Sequence, residues 1–342
     1  MNTKNNLPVQ SNTLHPKSCR VEWYGKPYYS LDAYCKNTFQ HKCYKIALNA
    51  HMSCPNRDGS LDTRGCIFCS AGGSGDFAVD IAGKSVEEQL TEGLARFRDK
   101  FSIDTTETST NTPSLIAYFQ AYTNTYASTD YLRKVYTAAL DCPLVCGISI
   151  GTRPDCLPED VISLLQDLKN IYPDKFIWIE LGLQTIHEET AHFIRRGYPL
   201  SCFEDAVSRL KSIDIPVIVH LILGLPGETP EMMLKSVQYL NQLLPFGVKL
   251  QLLHILEHTD LAKLYQNADS TQAIKPLDKD EYIFILINCI RHLDSRIVIH
   301  RLTGDGPKDI LLAPRWSQNK RDVLNSLHMQ LKKLSAKQGD ML

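Results

Sequence analysis

Residues 43 to 77, CYKIALNAHMSCPNRDGSLDTRGCIFCSAGGSGDF, decide how the rest of the chain is read. A short apolar strand runs into a polar, glycine-bearing loop that carries Cys54, Cys66 and Cys69 in the order C-x11-C-x2-C. Two cysteines two residues apart can put both thiolates on one iron or zinc centre, and a third thiolate on the same loop points to a metal site. A closed structural zinc site takes four protein ligands, and the only candidate for the fourth is His51, upstream on the strand end. Three thiolates suit a four-iron cubane instead, in which one iron stays free of protein and can bind a substrate or cofactor. Phe68, just before the last cysteine, would then lie beside whatever that iron holds. The plain alternative is three buried cysteines in a loop. Free cysteines prefer apolar neighbours, whereas these stand among Asn56, Arg57, Asp58 and Asp62.

Working outward, the chain has 342 residues and 43% apolar content, enough for one large domain or two small ones. It has no run of eighteen apolar residues and no charged-then-apolar leader, so a soluble cytoplasmic protein with no membrane segment is expected. Of its eleven cysteines, those outside the triad are scattered and read as reduced buried thiols, with Cys142 and Cys146 the pair most suggestive of a second metal site. The net charge of −1 is unevenly spread: residues 1–50 balance to +5, residues 301–342 to +4, and the middle to −10. Basic ends around an acidic centre could seat a polyanion, and are also common for solubility alone.

The loop design, with an open iron facing a cofactor, resembles that of radical S-adenosylmethionine enzymes. CPNRDGSLDTRGCIFCSAGGSGDFA is similar to the cluster loop of the YhcC-type (YtqA-like) radical S-adenosylmethionine proteins, relatives of the catalytic subunit of Elongator. The family pattern continues in YFQAYTNTYA (118–127), SIGTRPDCL (149–157), WIELGLQTIHEETAHFIRRGY (178–198), HLILGLPGET (220–229) and RLTGDGPKDILLAPRW (301–316), in order, from about residue 20 to about residue 325. The resemblance implies a [4Fe-4S] cluster on Cys54, Cys66 and Cys69, with S-adenosyl-L-methionine as cofactor. It further implies an electron donor such as flavodoxin or ferredoxin.

Outside that loop the pattern is regular. Residues 1–19 read as a flexible tail, 28–39 as a short helix capped by Ser30, and 102–112 as a Thr-rich surface loop. The helix opened by Ser85 is apolar at Val86, Leu90, Leu94 and Phe97. Strands at 43–48, 115–119, 144–150, 176–183, 216–223 and 248–255 alternate with amphipathic helices, the signature of parallel βαβ units. Six units fit the partial (β/α)6 TIM-like barrel of the radical S-adenosylmethionine superfamily, with active groups at the carboxyl ends of the strands. The core is expected over 20–255, with the cluster loop at 54–69. A C-terminal extension, 256–342, packs on it and contains a helix at 278–293, an added strand at 296–302 and a last helix at 321–334.

By the resemblance, Gln120 presents an acceptor to the methionine amino group, with an aromatic rim at the barrel mouth as the alternative. Arg153 in GTRPD could pair with a carboxylate, or else with Asp155 or Glu180. Glu180 is costly to bury unless paired or used, and in the family a carboxylate there binds ribose; Gln184 closes the same strand. Arg196 in the RRG element would hold the cofactor carboxylate or a phosphate. GLPGE at 224–228 would approach the adenine, with a departure from the commoner spacing at His220 and Glu228. His254, Lys249 and Lys45 point to the substrate side. The kinship implies a tRNA substrate, a wobble uridine whose 5-carboxymethylaminomethyl side chain is taken toward 5-aminomethyl, with Tyr118, Tyr122 and Tyr126 as stacking surfaces. Two competitors remain: a radical enzyme for a small metabolite or protein side chain, and a non-catalytic iron–sulfur or zinc protein.

Overall fold

The computed structural model describes residues 21–73, 83–101, 114–267, 274–304 and 306–342. The expected tail at 1–19, the loop at 102–112 and the side chain of Phe97 lie outside the described residues.

Helix α1 (Leu31–Phe39) starts at Ser30, whose side chain accepts from the Ala33 amide. Strand β1 (Cys43–Leu48) then leads into the cysteine loop, and α2 (Val86–Phe101) returns the chain. The following alternation is β2 (Ser114–Phe119), α3 (Thr129–Leu140), β3 (Val145–Thr152), α4 (Glu159–Ile171) and β4 (Phe176–Gln184). It continues with α5 (Glu188–Phe193), α6 (Leu200–Ser212), β5 (Val217–Leu223), α7 (Pro230–Leu243) and β6 (Gly247–Leu252). Thr229 caps α7 by accepting from the Met232 amide, with Pro230 in the first turn. These strands pair in sequence order, all parallel, into a curled sheet. That is the partial TIM-like barrel expected.

The sheet holds seven strands rather than six. The short β7 (Ile255–Leu256) and α8 (Asp260–Gln266) follow β6, and α9 (Lys279–Arg291) delivers β8 (Val298–Arg301) in parallel alongside β6. The strand foreseen at 296–302 is thus an inner wall of the barrel. The foreseen sixth strand ends earlier than 255, because Ile255 leaves the sheet and pairs antiparallel with Ala313 of β9 (Leu311–Ala313). Helix α10 (Lys320–Lys333) closes the chain, burying Val323, Leu327 and Leu331 in the main core.

Alternation along each strand sends one set of side chains outward to the helices and the other into the barrel. The lowest inner layer is aromatic. Trp178 stacks on Phe176 at 3.9 Å between ring centroids, and Tyr34 of α1 sits 4.8 Å from Phe246 and 5.9 Å from Trp178. Helix α1 therefore plugs the amino-terminal end of the strands and leaves the opposite end for ligands. Gln338 fastens this closure, donating to Asp294 O and Ile297 O and accepting from the Tyr29 amide.

Candidate active site

The cysteine loop folds on its own hydrogen bonds. The Arg57 and Asp58 amides donate to Cys54 O, and the Cys69 amide donates to Cys66 O, closing the C-x2-C turn. The Arg57 guanidinium reaches across to Cys69 O at 3.0 Å and Ser70 O at 2.5 Å, gathering the carbonyls behind the last cysteine. The loop is pinned to the turn after α5. Asn56 Nδ2 donates to Arg195 O at 2.8 Å, and the Ile67 amide donates to Ile194 O. Gly197, at φ +85°, leaves no room for a side chain beside Asn56 and Arg153, so the contact requires glycine. Tyr122 and Tyr126 serve this loop too: Tyr122 OH donates to Ala71 O at 2.6 Å, and Tyr126 OH lies 2.8 Å from Ser60 Oγ.

The three thiols share one electropositive neighbourhood. The Cys66 thiol is pulled down to about 7, first by the hydrogen bond from the Cys69 thiol, against burial, and then by the Arg153 guanidinium and the Asn56 amide. Cys69, the donor in that bond and itself buried, is pushed up. Cys54 lies within electrostatic reach of both Cys69 and Arg153. Low thiol pKa beside fixed cations favours thiolate ligation. Among the described residues no group of three or more His, Cys, Asp or Glu side chains is gathered tightly enough to hold one ion. Thiols that serve three separate irons do not have to be. His51 is exposed, and Cys142 and Cys146 join no such group among the described residues.

One cavity of about 930 Å³ runs from Phe68, Cys69 and Gly73 of this loop down the barrel to Lys45, Lys249 and His300. Its deep end is polar, and the lining side chains Lys45, His220 and Lys249 converge on Glu180, which is buried behind them. The Glu180 carboxylate is 1% exposed. It accepts from Lys45 Nζ at 2.7 Å, Ser149 Oγ at 2.6 Å and His220 Nε2 at 2.6 Å, and also from Lys249 Nζ. Burial alone would raise its pKa; the ammonium groups of Lys249 and Lys45 and the His220 bond hold it well below the carboxylate range. Burial, with Lys249 nearby, lowers His220 to about 4. The ring is therefore neutral, Nε2 donates to Glu180, and Nδ1 accepts weakly from Gln251 at 3.5 Å. Lys249 Nζ also donates to Tyr118 OH at 2.9 Å, and burial drives it down to about 7 against the pull of Glu180.

One layer above this floor, Gly151 and Gly182 follow Ser149 and Glu180 by two residues and so face the same interior. A Cβ on Gly151 would stand 3.2 Å from Phe119 O, and one on Gly182 would stand 2.4 Å from Gln184 Nε2. The two glycines hollow the wall between floor and cysteine loop.

The proposed cofactor residues fall into two sets. Phe68 and Gln120 line the cavity. Arg153 sits between the thiols and Tyr198, with its guanidinium held by both carboxylate oxygens of Asp155 at 2.9 and 2.7 Å. Gln184, at φ +60°, is 3.2 Å from Tyr198 OH. Arg196 is deeper, 2% exposed, and gives all three nitrogens to protein: Tyr198 O, Leu183 O, Thr185 O and the Glu188 carboxylate. Its guanidinium braces the turn after β4. Glu180 is likewise saturated, by four protein donors. None of the described residues lining the cavity comes from 224–228, and Glu228 accepts from Thr185 instead. Tyr118 is covered by Lys45 at 4.7 Å and Lys249 at 4.3 Å from its ring centroid, so it offers no open face to a base, and the expectation of a stacking surface there is corrected. The sequence reading overlooked Ser149, Gln251, His300 and Arg301, whose signal was a polar residue at an inward position of an otherwise apolar strand.

A family model described as the radical SAM superfamily matches residues 63–240, and one described as the Radical_SAM C-terminal domain matches residues 245–333. The chain belongs to the radical SAM superfamily. It is 37% identical over 317 residues to the uncharacterized protein YtqA of Bacillus subtilis, covering 92% of each chain. It is 27% identical over 179 residues to a tRNA uridine(34) acetyltransferase of Methanocaldococcus jannaschii, covering 52% of this chain and 31% of that protein. Among solved structures, archaeal Elp3 from Methanocaldococcus infernus superimposes with a TM-score of 0.62 at 16% identity, over 86% of this chain and 64% of that one, a likeness of fold. The protein is a radical SAM enzyme, and its family implies a [4Fe-4S] cluster and S-adenosylmethionine. The donor set fits both: three thiols with no fourth ligand on the loop, and a glycine-hollowed wall below them. No helix among the described residues is long and apolar enough to cross a membrane.

Proposed function

We propose that this radical SAM enzyme modifies the wobble uridine of tRNA, taking a 5-carboxymethylaminomethyl side chain toward 5-aminomethyl. One observation carries the reading: among the described residues, the wall of the cavity that begins at Cys69 bears six cationic side chains, Lys45, Arg96, Lys249, Arg301, Lys308 and Lys320, and no acidic one. A concave, one-signed wall concentrates an anionic substrate. The partial likeness to a tRNA uridine(34) acetyltransferase adds the substrate class. The +4 balance of residues 301–342 places further cations on the same chain segment.

Cys54, Cys66 and Cys69 hold the cluster in this reading, and Phe68, Gln120, Arg153 and Gln184 surround the cofactor. Glu180 and Arg196 act as braces. When bound, the reduced cluster and S-adenosylmethionine supply the radical that takes a hydrogen from substrate. The residues of this chain position the two reactants in one water-poor cavity and set its charge. Residues 20–255 form the catalytic core and 256–342 an extension whose strand β8 is built into the sheet; flavodoxin or ferredoxin is the electron donor. Anaerobic reconstitution, reduction and assay of 5′-deoxyadenosine with and without bulk tRNA tests the proposal. Formation raised by tRNA is expected; formation indifferent to tRNA overturns the substrate.

A further inference from the structure

The floor of the barrel holds more positive charge than its own carboxylate balances. Glu180 faces two ammonium groups, and His220, the other titratable group bonded to it, is neutral. Among the described residues Lys45 Nζ makes one hydrogen bond, to Glu180, and Lys249 Nζ two, to Glu180 and Tyr118. An ammonium has three N–H groups, so both have donors to spare. His300 lines the same floor, and neither of its ring nitrogens has a partner among the described residues. Two ammonium groups that share one carboxylate and buried imidazole nitrogens without a partner are both costly. Here they occur together at the blind end of a ligand cavity, where a ligand would relieve both.

We propose that Lys45 and Lys249, mounted on Glu180 and Tyr118, form an anion subsite that takes a carboxylate of the substrate. Glu180 holds both ammonium groups on its one carboxylate, and both lie over the Tyr118 ring, 4.7 and 4.3 Å from its centroid. The subsite rests on the reading that the deep end of the cavity receives substrate. It adds the chemical feature recognised there: a single carboxylate on the reacting side chain, as opposed to the phosphates of an RNA backbone, which the outer cations Lys308 and Lys320 meet. Lys45 and Lys249 are then specificity-determining residues.

The test uses the cluster-loaded enzyme and two probes in parallel. The first is an anticodon stem-loop with 5-carboxymethylaminomethyluridine, compared with its carboxamide. The second is malonate compared with malonamide, by calorimetry. In wild type the acid of each pair is expected to bind about 10-fold or more tighter than the amide, the scale of one charge-assisted hydrogen-bonded contact. Lys45→Met and Lys249→Met should each lose most of that preference, with the rise in KM exceeding the fall in kcat on the stem-loop. The visible iron–sulfur spectrum shows that each variant has folded, and Lys45→Met, at the more exposed position, serves if Lys249→Met does not load. Acid preference for malonate alone, with no stem-loop binding, keeps the subsite and overturns the tRNA reading. Stem-loop binding that ignores acid against amide, with malonate silent, keeps the tRNA reading and overturns the subsite. No preference with either probe, or a preference that survives both variants, also overturns it.

Discussion

Replacing Lys249 by Met removes a charge from the floor and leaves an apolar stem in place. In the folded protein Lys249 titrates near 7, because burial outweighs the attraction of Glu180, whereas in the unfolded chain a lysine titrates at about 10.4. Between those values the unfolded state binds a proton that the folded state does not. Wild-type stability from this group therefore rises with pH, by about 1 kcal/mol per unit, and below the folded value the group adds no slope. Lys45, Tyr118, Glu180, His220 and Arg301 face Lys249. Of these, His220 titrates near 4, Glu180 well below the carboxylate range and Tyr118 well above 10, so none of those three changes charge in the window. Lys249→Met lacks the slope. From about pH 7 to about pH 9 wild type should gain on the variant by about 2–3 kcal/mol, or about 3–4 °C of melting midpoint for a chain of this length. Melting curves of the apoprotein by far-UV circular dichroism, taken on both proteins across that range, measure the difference. Midpoints that run parallel with pH would mean that Lys249 keeps an ordinary proton affinity, and the charge account of the floor would fail.

Further outcomes follow from the other parts of the site. Cys54→Ala, Cys66→Ala and Cys69→Ala should each abolish both the iron–sulfur absorbance and S-adenosylmethionine cleavage; a normal spectrum in any one of them rejects that ligand. Arg57→Ala removes the guanidinium that gathers Cys69 O and Ser70 O, at about 1.5–3 kcal/mol for a charged hydrogen bond, and should speed the loss of iron to a chelator at least several-fold. Glu180→Gln should keep the cluster spectrum but lower the melting midpoint, most strongly on the acid side of neutrality, where Lys249 stays protonated; a loss that grows toward alkaline pH contradicts the pairing. Gly151→Val should fill the hollow below the cysteine loop and weaken S-adenosylmethionine binding by about 10-fold or more, with iron content unchanged, as equilibrium dialysis would show.

The parallel barrel was legible because each strand is a short apolar run with an amphipathic helix behind it, and Ser30 and Thr229 cap their helices as their sequence contexts suggest. The cysteine loop stood out by its C-x11-C-x2-C spacing, and it was the family resemblance that chose a cluster for it over zinc. The floor was harder to see. Lys45, Ser149, Glu180, His220 and Lys249 lie far apart in the chain, and only the register of β1 through β6 brings them to one height. Near-continuous apolar strands also hide which face is inward, since both faces are buried. The roles given to Glu180 and Arg196 came from the family resemblance, whereas the four donors to Glu180 emerge only when β1, β3, β5 and β6 stand around β4, and the acceptors of Arg196 only when residues 183–198 fold back on themselves. The seventh strand looked like an appendage because 45 residues separate it from β6, and sequence distance says nothing of where its backbone pairs.

The curled sheet is not a closed ring. Among the described residues β1 pairs with β2 alone, while β8 pairs with β6 and, through Ile299, with a single bridge to Ser30 ahead of α1, so no ladder joins β1 to β8 and a seam runs between the first and last strands. Lys45 stands at one lip of that seam and His300 and Arg301 at the other, all facing the same cavity. The diameter of the barrel is accordingly its softest dimension, set by side chains where hydrogen-bonded ladders fix every other spacing. A ligand that grips both lips becomes a rivet across the seam, drawing the two edges to a fixed gauge. Amide exchange should then slow along β1 and β8 together when substrate binds, while the central strands, already clamped on both sides, show little change.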